Sequence, residues 1–205
     1  MRILLARHGE TTANAEARFQ GSRDYPLNER GRQQAEQLAS LLAHYQPGRL
    51  YTSNLTRSRE TAKPAAQLLK LKAIALPIFR EYSWGVLEGL TRAEIKERYP
   101  ALFSRLQENW RQAVIPQQEP LPHFRQRLQA GSSILLAADN PSTVALIGHG
   151  RYLNALLVEL LGLDFTGPWP FSFLSGTLTI LDCQAGQCRL ISFNQQSQLR
   201  GDKNA

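Results

Sequence analysis

Ile3-Leu4-Leu5-Ala6-Arg7-His8-Gly9-Glu10-Thr11 is the stretch on which the fold turns. A short apolar run followed at once by Arg, His and Gly reads as a buried strand that delivers charged side chains to a turn at its carboxyl end. The pattern recurs twice. Residues 49–53 end at Ser53-Asn54, and residues 144–147 end at Gly148-His149-Gly150. Residues 72–77, 178–182 and 188–193 supply three more predicted strands, the last two joined as a hairpin through Ala185-Gly186 with a polar tail from Gln195. Helical patterns lie between. Leu38, Leu41, Leu42 and Tyr45 recur at helical spacing after Asn28, an expected N-cap, and Leu153, Leu156, Leu157, Leu160 and Leu161 form a second stripe. Alternation of this kind predicts an α/β fold, a three-layer α/β/α sandwich around a mostly parallel sheet. Pro64 is expected to kink or shorten the helix after Ser53 near Ala62-Lys63. From Trp84 to Phe124 aromatics mix with Pro100, Pro116, Pro120 and Pro122. Residues 84–125 are therefore expected to form a partly helical insertion over one end of the sheet, within a single domain spanning 1–205.

Composition narrows the function classes. The 205 residues are 42% hydrophobic and 20% charged, which excludes a disordered chain, and no apolar run approaches the ~20 residues that span a bilayer. The first apolar run is also too short for a signal-peptide core, so a cytoplasmic location without a membrane partner is expected. Lys and Arg number 24 against 17 Asp and Glu, a net charge of +7, and most of the excess lies in residues 1–102. It is not gathered into a basic run, and no Cys/His finger or basic zipper accompanies it. A small phosphorylated metabolite is thus the expected partner and nucleic acid is not. Cys183 and Cys188 flank a turn and could face each other across it; two ordinary thiols are the expectation. Two thiols with four scattered His residues predict neither zinc nor any other metal.

Open α/β sheets bind ligands outside the carboxyl ends of their strands. Arg7, His8, Arg57 and His149 are expected there, with Glu10 and Asn14 just beyond the first strand. Two guanidinium forks suit a phosphoryl group, and two imidazoles supply a nucleophile and a further donor. The set reads as a phosphate site without a metal.

Arg7-His8-Gly9-Glu10-Thr11 with Asn14 resembles the RHG signature of the histidine phosphatase superfamily, which includes the cofactor-dependent phosphoglycerate mutases. The resemblance continues through Pro26-Leu27-Asn28 with Gly31, Thr52-Ser53-Asn54-Leu55 with Arg57 and Glu60-Thr61-Ala62, Glu81 with Trp84-Gly85 and Glu88-Gly89, and Gly148-His149-Gly150. It implies that His8 is the nucleophile and becomes a phosphohistidine, with its Nδ1 proton given to a backbone carbonyl. Arg7, Arg57 and His149 match the family's phosphate pocket, joined by Asn14, Gln20 and Gly21. Glu81 matches the general acid, a role that asks for a carboxyl holding its proton near neutral pH. Each assignment has a plainer competitor. Arg57 could be a solvated helix residue like Arg59, and Glu88 competes with Glu81. Glu10 is expected to support its loop, and His44 and His123 to lie at the surface or in packing. The chain is shorter than the family's mutases generally are, so the resemblance implies a metal-independent phosphomonoesterase without cofactor, with a mutase as the alternative and a non-enzymatic phosphate or nucleic-acid binder as the remote one. The chain departs from its relatives at Gln118-Glu119-Pro120, where many have Gly-Glu-Ser, and at Arg151-Tyr152, where smaller residues are usual. Arg151 could read a carboxylate or second phosphate, or be a surface arginine. Phosphoserine, a sugar phosphate, α-ribazole phosphate and phosphoglycerate stay open as substrates, and so do monomer and homodimer.

Overall fold

Leu4 and Ala6 face one side of the first strand and Ile3 and Leu5 the other, and all four are buried. A strand covered on both faces must lie inside a layered fold. The computed structural model, which describes residues 1–109, 113–164 and 169–196, shows that layering. Its sheet contains β1 (Arg2–Arg7), β2 (Arg49–Thr52), β3 (Ala73–Ala75), β4 (Thr143–Gly148), β5 (Leu178–Gln184) and β6 (Gln187–Gln195). The spatial order is β3-β2-β4-β1-β5-β6. The first four strands are mutually parallel, while β5 runs antiparallel to both β1 and β6.

Seven helices accompany the sheet among the described residues: α1 (Thr12–Ala15), α2 (Glu29–Tyr45), α3 (Thr56–Leu69), α4 (Arg92–Arg98), α5 (Pro100–Asn109), α6 (Leu121–Leu135) and α7 (Gly150–Leu160). Asn28 caps α2 as expected, its side chain accepting from the Gly31 N–H. Leu38 and Leu42 of α2 and Ala62 and Ala65 of α3 cover the face carrying Leu4, Ala6 and Ala145. Phe124 and Leu128 of α6 and Leu153, Leu156 and Leu157 of α7 cover the opposite face with Ile3, Leu5 and Leu146. Burying each of these leucine, isoleucine or phenylalanine side chains contributes on the order of 1.5–3 kcal/mol.

Several expectations need correction. Helix α3 is not shortened at Pro64 but continues for five residues past it. Pro64 forfeits one backbone bond, and the packing of Ala62 and Ala65 on either side keeps the helix in place. Strand β3 is shorter than predicted, because Pro77 cannot donate to a ladder and instead opens a 3-10 turn, Pro77–Phe79. Cys183 and Cys188 are directly opposed in the β5–β6 ladder and joined as a disulfide, not separate thiols. Ala185 and Gly186 both take positive φ, which makes the tight turn that sets this register. Helices α4 and α5 make the segment after Trp84 partly helical, but Phe124 belongs to α6 and the core. Trp110 lies outside the described residues.

Candidate active site

Strand β4 lies beside β1 in parallel register, pairing Arg7 with Gly148, and the His8 N–H donates to the Gly148 carbonyl at 3.0 Å. The next residue on each strand is a histidine, so the His8 and His149 rings stand 5.1 Å apart. Register alone therefore unites two residues far apart in sequence. The glycine after His8 is sterically required: a Cβ on Gly9 would lie 2.3 Å from the Gly31 carbonyl oxygen at the start of α2.

His8 is 2% exposed, and its Nδ1 lies 2.7 Å from the Gly9 carbonyl. A carbonyl only accepts, so Nδ1 carries the proton and Nε2 keeps its lone pair. Burial first, then the cations of Arg57 and Arg7, hold the imidazole well below its ordinary value of 6.5. The ring is neutral and carries its proton on Nδ1, which leaves the Nε2 lone pair free.

Arg7 donates to the Phe173 carbonyl at 2.7 Å, while its Nε–H is buried with no partner among the described residues. An orphaned cationic donor of this kind suits an anionic ligand. Arg57, on the first turn of α3, is 1% exposed. It donates to the carbonyls of Gly21 and Arg23 at 2.7 Å each and through Nε to His149 Nδ1 at 3.2 Å. Burial pushes this guanidinium down to about 10, against the opposing pull of Glu81. His149 accepts from Arg57 and therefore carries its own proton on Nε2, 2.7 Å from Ser53 Oγ. Both ring nitrogens are thus engaged by protein groups. Burial, followed by Arg57, His8 and Arg7, keeps this ring neutral as well. Ser53 went unassigned in the sequence, although its place at the end of β2 was the available signal.

The two carboxylates of the Glu81/Glu88 segment have separate partners. Glu88, 6% exposed, accepts from the backbone of Ser22, Arg23 and Trp84 and from the hydroxyls of Ser22 and Ser83. It binds the 20–23 loop to the 83–88 turn. Glu81 instead faces the start of α7: Oε1 accepts from the N–H groups of Tyr82 and Tyr152 at 2.9 Å each, and Oε2 from Arg151 N–H at 3.1 Å. Arg127 fixes this loop from behind, donating to the carbonyls of Ile78, Arg80 and Glu81 while paired with Glu119 at 2.7 Å.

The other expected residues lie on the loop between β1 and α2. Asn14 closes a capping box with Thr11 through Oδ1, and its Nδ2 enters no hydrogen bond among the described residues. Gln20 is buried with Oε1 unpartnered, and Gly21 takes φ of 52° with its carbonyl on Arg57. A Cβ there would meet Glu88 Oε1 at 2.1 Å. Glu10 accepts from Asn28 and supports the loop, and His44 and His123 are exposed.

A neutral histidine flanked by buried Arg57 and half-buried Arg7, at the carboxyl ends of adjacent parallel strands, defines an α/β enzyme site for an oxyanion. The chain belongs to the histidine phosphatase superfamily, whose branch 1 model matches residues 3–196. It is 33% identical over 171 residues to the "Probable phosphoglycerate mutase GpmB" of Escherichia fergusonii, covering 80% of this chain and 76% of that one. It is also similar to the solved mycobacterial glucosyl-3-phosphoglycerate phosphatase, with 29% identity, a TM-score of 0.83, and 94% and 98% of the two chains covered. The alpha-ribazole phosphatase of Shigella flexneri shares the fold at a TM-score of 0.87 and 24% identity, over 95% of this chain and 96% of that one. Family and neighbours place the chain among the phosphoric monoester hydrolases.

Proposed function

We propose that the protein is a metal-independent phosphomonoesterase that works through a phosphohistidine on His8 and acts on a small phosphorylated metabolite. The observation that carries this reading is the His8 tautomer, fixed by the Gly9 carbonyl at 2.7 Å with the ring kept neutral by burial and two arginines. His8 Nε2 attacks phosphorus as the ester P–O bond breaks, and Arg7 and Arg57 hold the equatorial oxygens. His149 keeps Arg57 oriented through Nδ1 and gives its Nε2–H to a phosphoryl oxygen in exchange for Ser53. Asn14, Gln20 and Gly21 frame the pocket from the loop above Arg57.

Glu81 delivers a proton to the leaving oxygen. Its Oε1 already accepts two N–H groups and Oε2 only one, so Oε2 has the free lone pair for that proton. In the second half the same carboxylate takes a proton from the water that attacks the phosphohistidine, releasing inorganic phosphate and restoring neutral His8.

The test is phosphate release from phenyl phosphate without added metal, compared with His8→Ala, together with trapping of acid-labile phosphohistidine after rapid quench. No release above the His8→Ala background overturns the reading. Interconversion of 3- and 2-phosphoglycerate outpacing phosphate release would make the chain a mutase.

A further inference from the structure

We propose that Arg151 forms a subsite for a second oxyanion on the substrate's leaving alcohol, so that the preferred substrate joins an apolar body to a carboxylate or second phosphoryl group. This rests on the phosphomonoesterase reading above. Three observations converge on it. The guanidinium carbon of Arg151 lies over the rings of both Trp84 and Trp169, 5.7 Å from each centroid. Stacking of this kind stabilises the cation through its faces and leaves its in-plane N–H groups available for a forked acceptor.

Those N–H groups are uncommitted. Among the described residues the Arg151 guanidinium donates to no oxygen and enters no ion pair, whereas Arg127 spends its N–H groups on three carbonyls and on Glu119. Position supplies the third observation. The backbone N–H of Arg151 is held by Glu81 Oε2 at 3.1 Å, and the guanidinium is close enough to feel the charge of Glu81, the group that protonates the leaving oxygen. Arg151 also lines a cavity of about 200 Å³ whose other walls are mostly apolar, Phe19, Trp84, Ile95, Phe103 and Leu106, with Arg92 and Gln107 at its polar side. That wall suits a hydrocarbon or aromatic body.

Three non-hydrolysable ligands test the subsite by calorimetric titration: benzylphosphonate, 4-carboxybenzylphosphonate and 1,4-bis(phosphonomethyl)benzene. A two-anion ligand is expected to bind about tenfold or more tightly than benzylphosphonate, the effect of one charge-assisted forked contact. The two such ligands tell a carboxylate site from a phosphoryl site. In Arg151→Gln that ratio should fall to within about twofold, and Arg151→Lys, which keeps the charge without the fork, should retain part of it. Equal affinities of the native protein for all three ligands, or a loss in Arg151→Gln that strikes all three alike, overturns the proposal. These titrations do not need turnover. Absence of His8-dependent hydrolysis would sink the phosphatase reading while the binding ratios still report on the subsite.

Discussion

Arg57 donates its Nε–H to Nδ1 of His149 across 3.2 Å, and this one contact assigns the tautomer of a histidine 92 residues away. Because the other two Arg57 contacts hold the Gly21 and Arg23 carbonyls, the same side chain ties the 20–23 loop to the end of β4. Arg57→Met should therefore fail twice. It should lower kcat/KM by at least ~100-fold and destabilise by roughly 2–4 kcal/mol, since two buried carbonyls lose their donors. Steady-state kinetics alongside urea unfolding will check both, and an Arg57→Met protein of native stability would contradict the anchoring role.

Glu81 and Glu88 should separate cleanly under substitution. Glu81→Gln is expected to keep the fold but slow hydrolysis of an alkyl phosphate about 100-fold or more, with a much smaller loss on p-nitrophenyl phosphate, whose leaving group needs no proton. Equal losses on both substrates would remove Glu81 from the acid's role.

Glu88→Gln should instead cost stability, roughly 2–4 kcal/mol, because its oxygens satisfy the backbone of three residues and two hydroxyls. Its ratio of alkyl to nitrophenyl rates should match that of the native protein. Thermal melts and the two rates decide this together.

Stability should fall on mild acidification. His8 and His149 sit well below 6.5 when folded, both chiefly through burial, and return to about 6.5 when unfolded. Below pH ~6.5 the unfolded chain thus takes up protons that the folded chain refuses, and stability declines with a slope approaching about 3 kcal/mol per pH unit for the two sites. Urea midpoints between pH 7.5 and 5 measure the slope, and His149→Gln should reduce it by about half. A variant with the native slope would show that His149 does not titrate in this way.

Gly21→Ala places a methyl at 2.1 Å from Glu88 Oε1 on a residue with φ of 52°. A loss of ~2 kcal/mol or more is expected, with KM raised as the carbonyl that receives Arg57 shifts. Unchanged KM and melting temperature would show that the loop relaxes freely.

Much of this arrangement was legible because Arg7, His8 and His149 sit next to apolar runs whose strand character is local. The layered fold followed from the same alternation. What escaped depends on contacts between distant segments. Nothing near Glu88 in sequence says that Ser22 and Arg23 will approach it, and nothing beside His149 says that Ser53 will meet its Nε2. Pro64 misled because a local helix breaker was outweighed by Ala62 and Ala65 packing on the sheet. The Cys183–Cys188 link required the register of a hairpin, and that register is set by the φ of Ala185 and Gly186. Arg151 stood out in sequence as a departure that could equally read a carboxylate or second phosphate or lie at the surface. Its lack of acceptors became visible once its neighbours were in place.

The placement of β4 between β1 and β2 also governs how the molecule is assembled. The ribosome releases β1 and β2 long before residues 143–148, so the nascent sheet must wait with a vacant central slot and two unprotected edges. Filling that slot joins residues about 140 apart along the chain, a slow kind of closure. Recovery of phosphate release after dilution from denaturant should accordingly trail the return of helical circular dichroism, because helices form early and the His8 and His149 imidazoles come together only once the late strand has slipped into the middle.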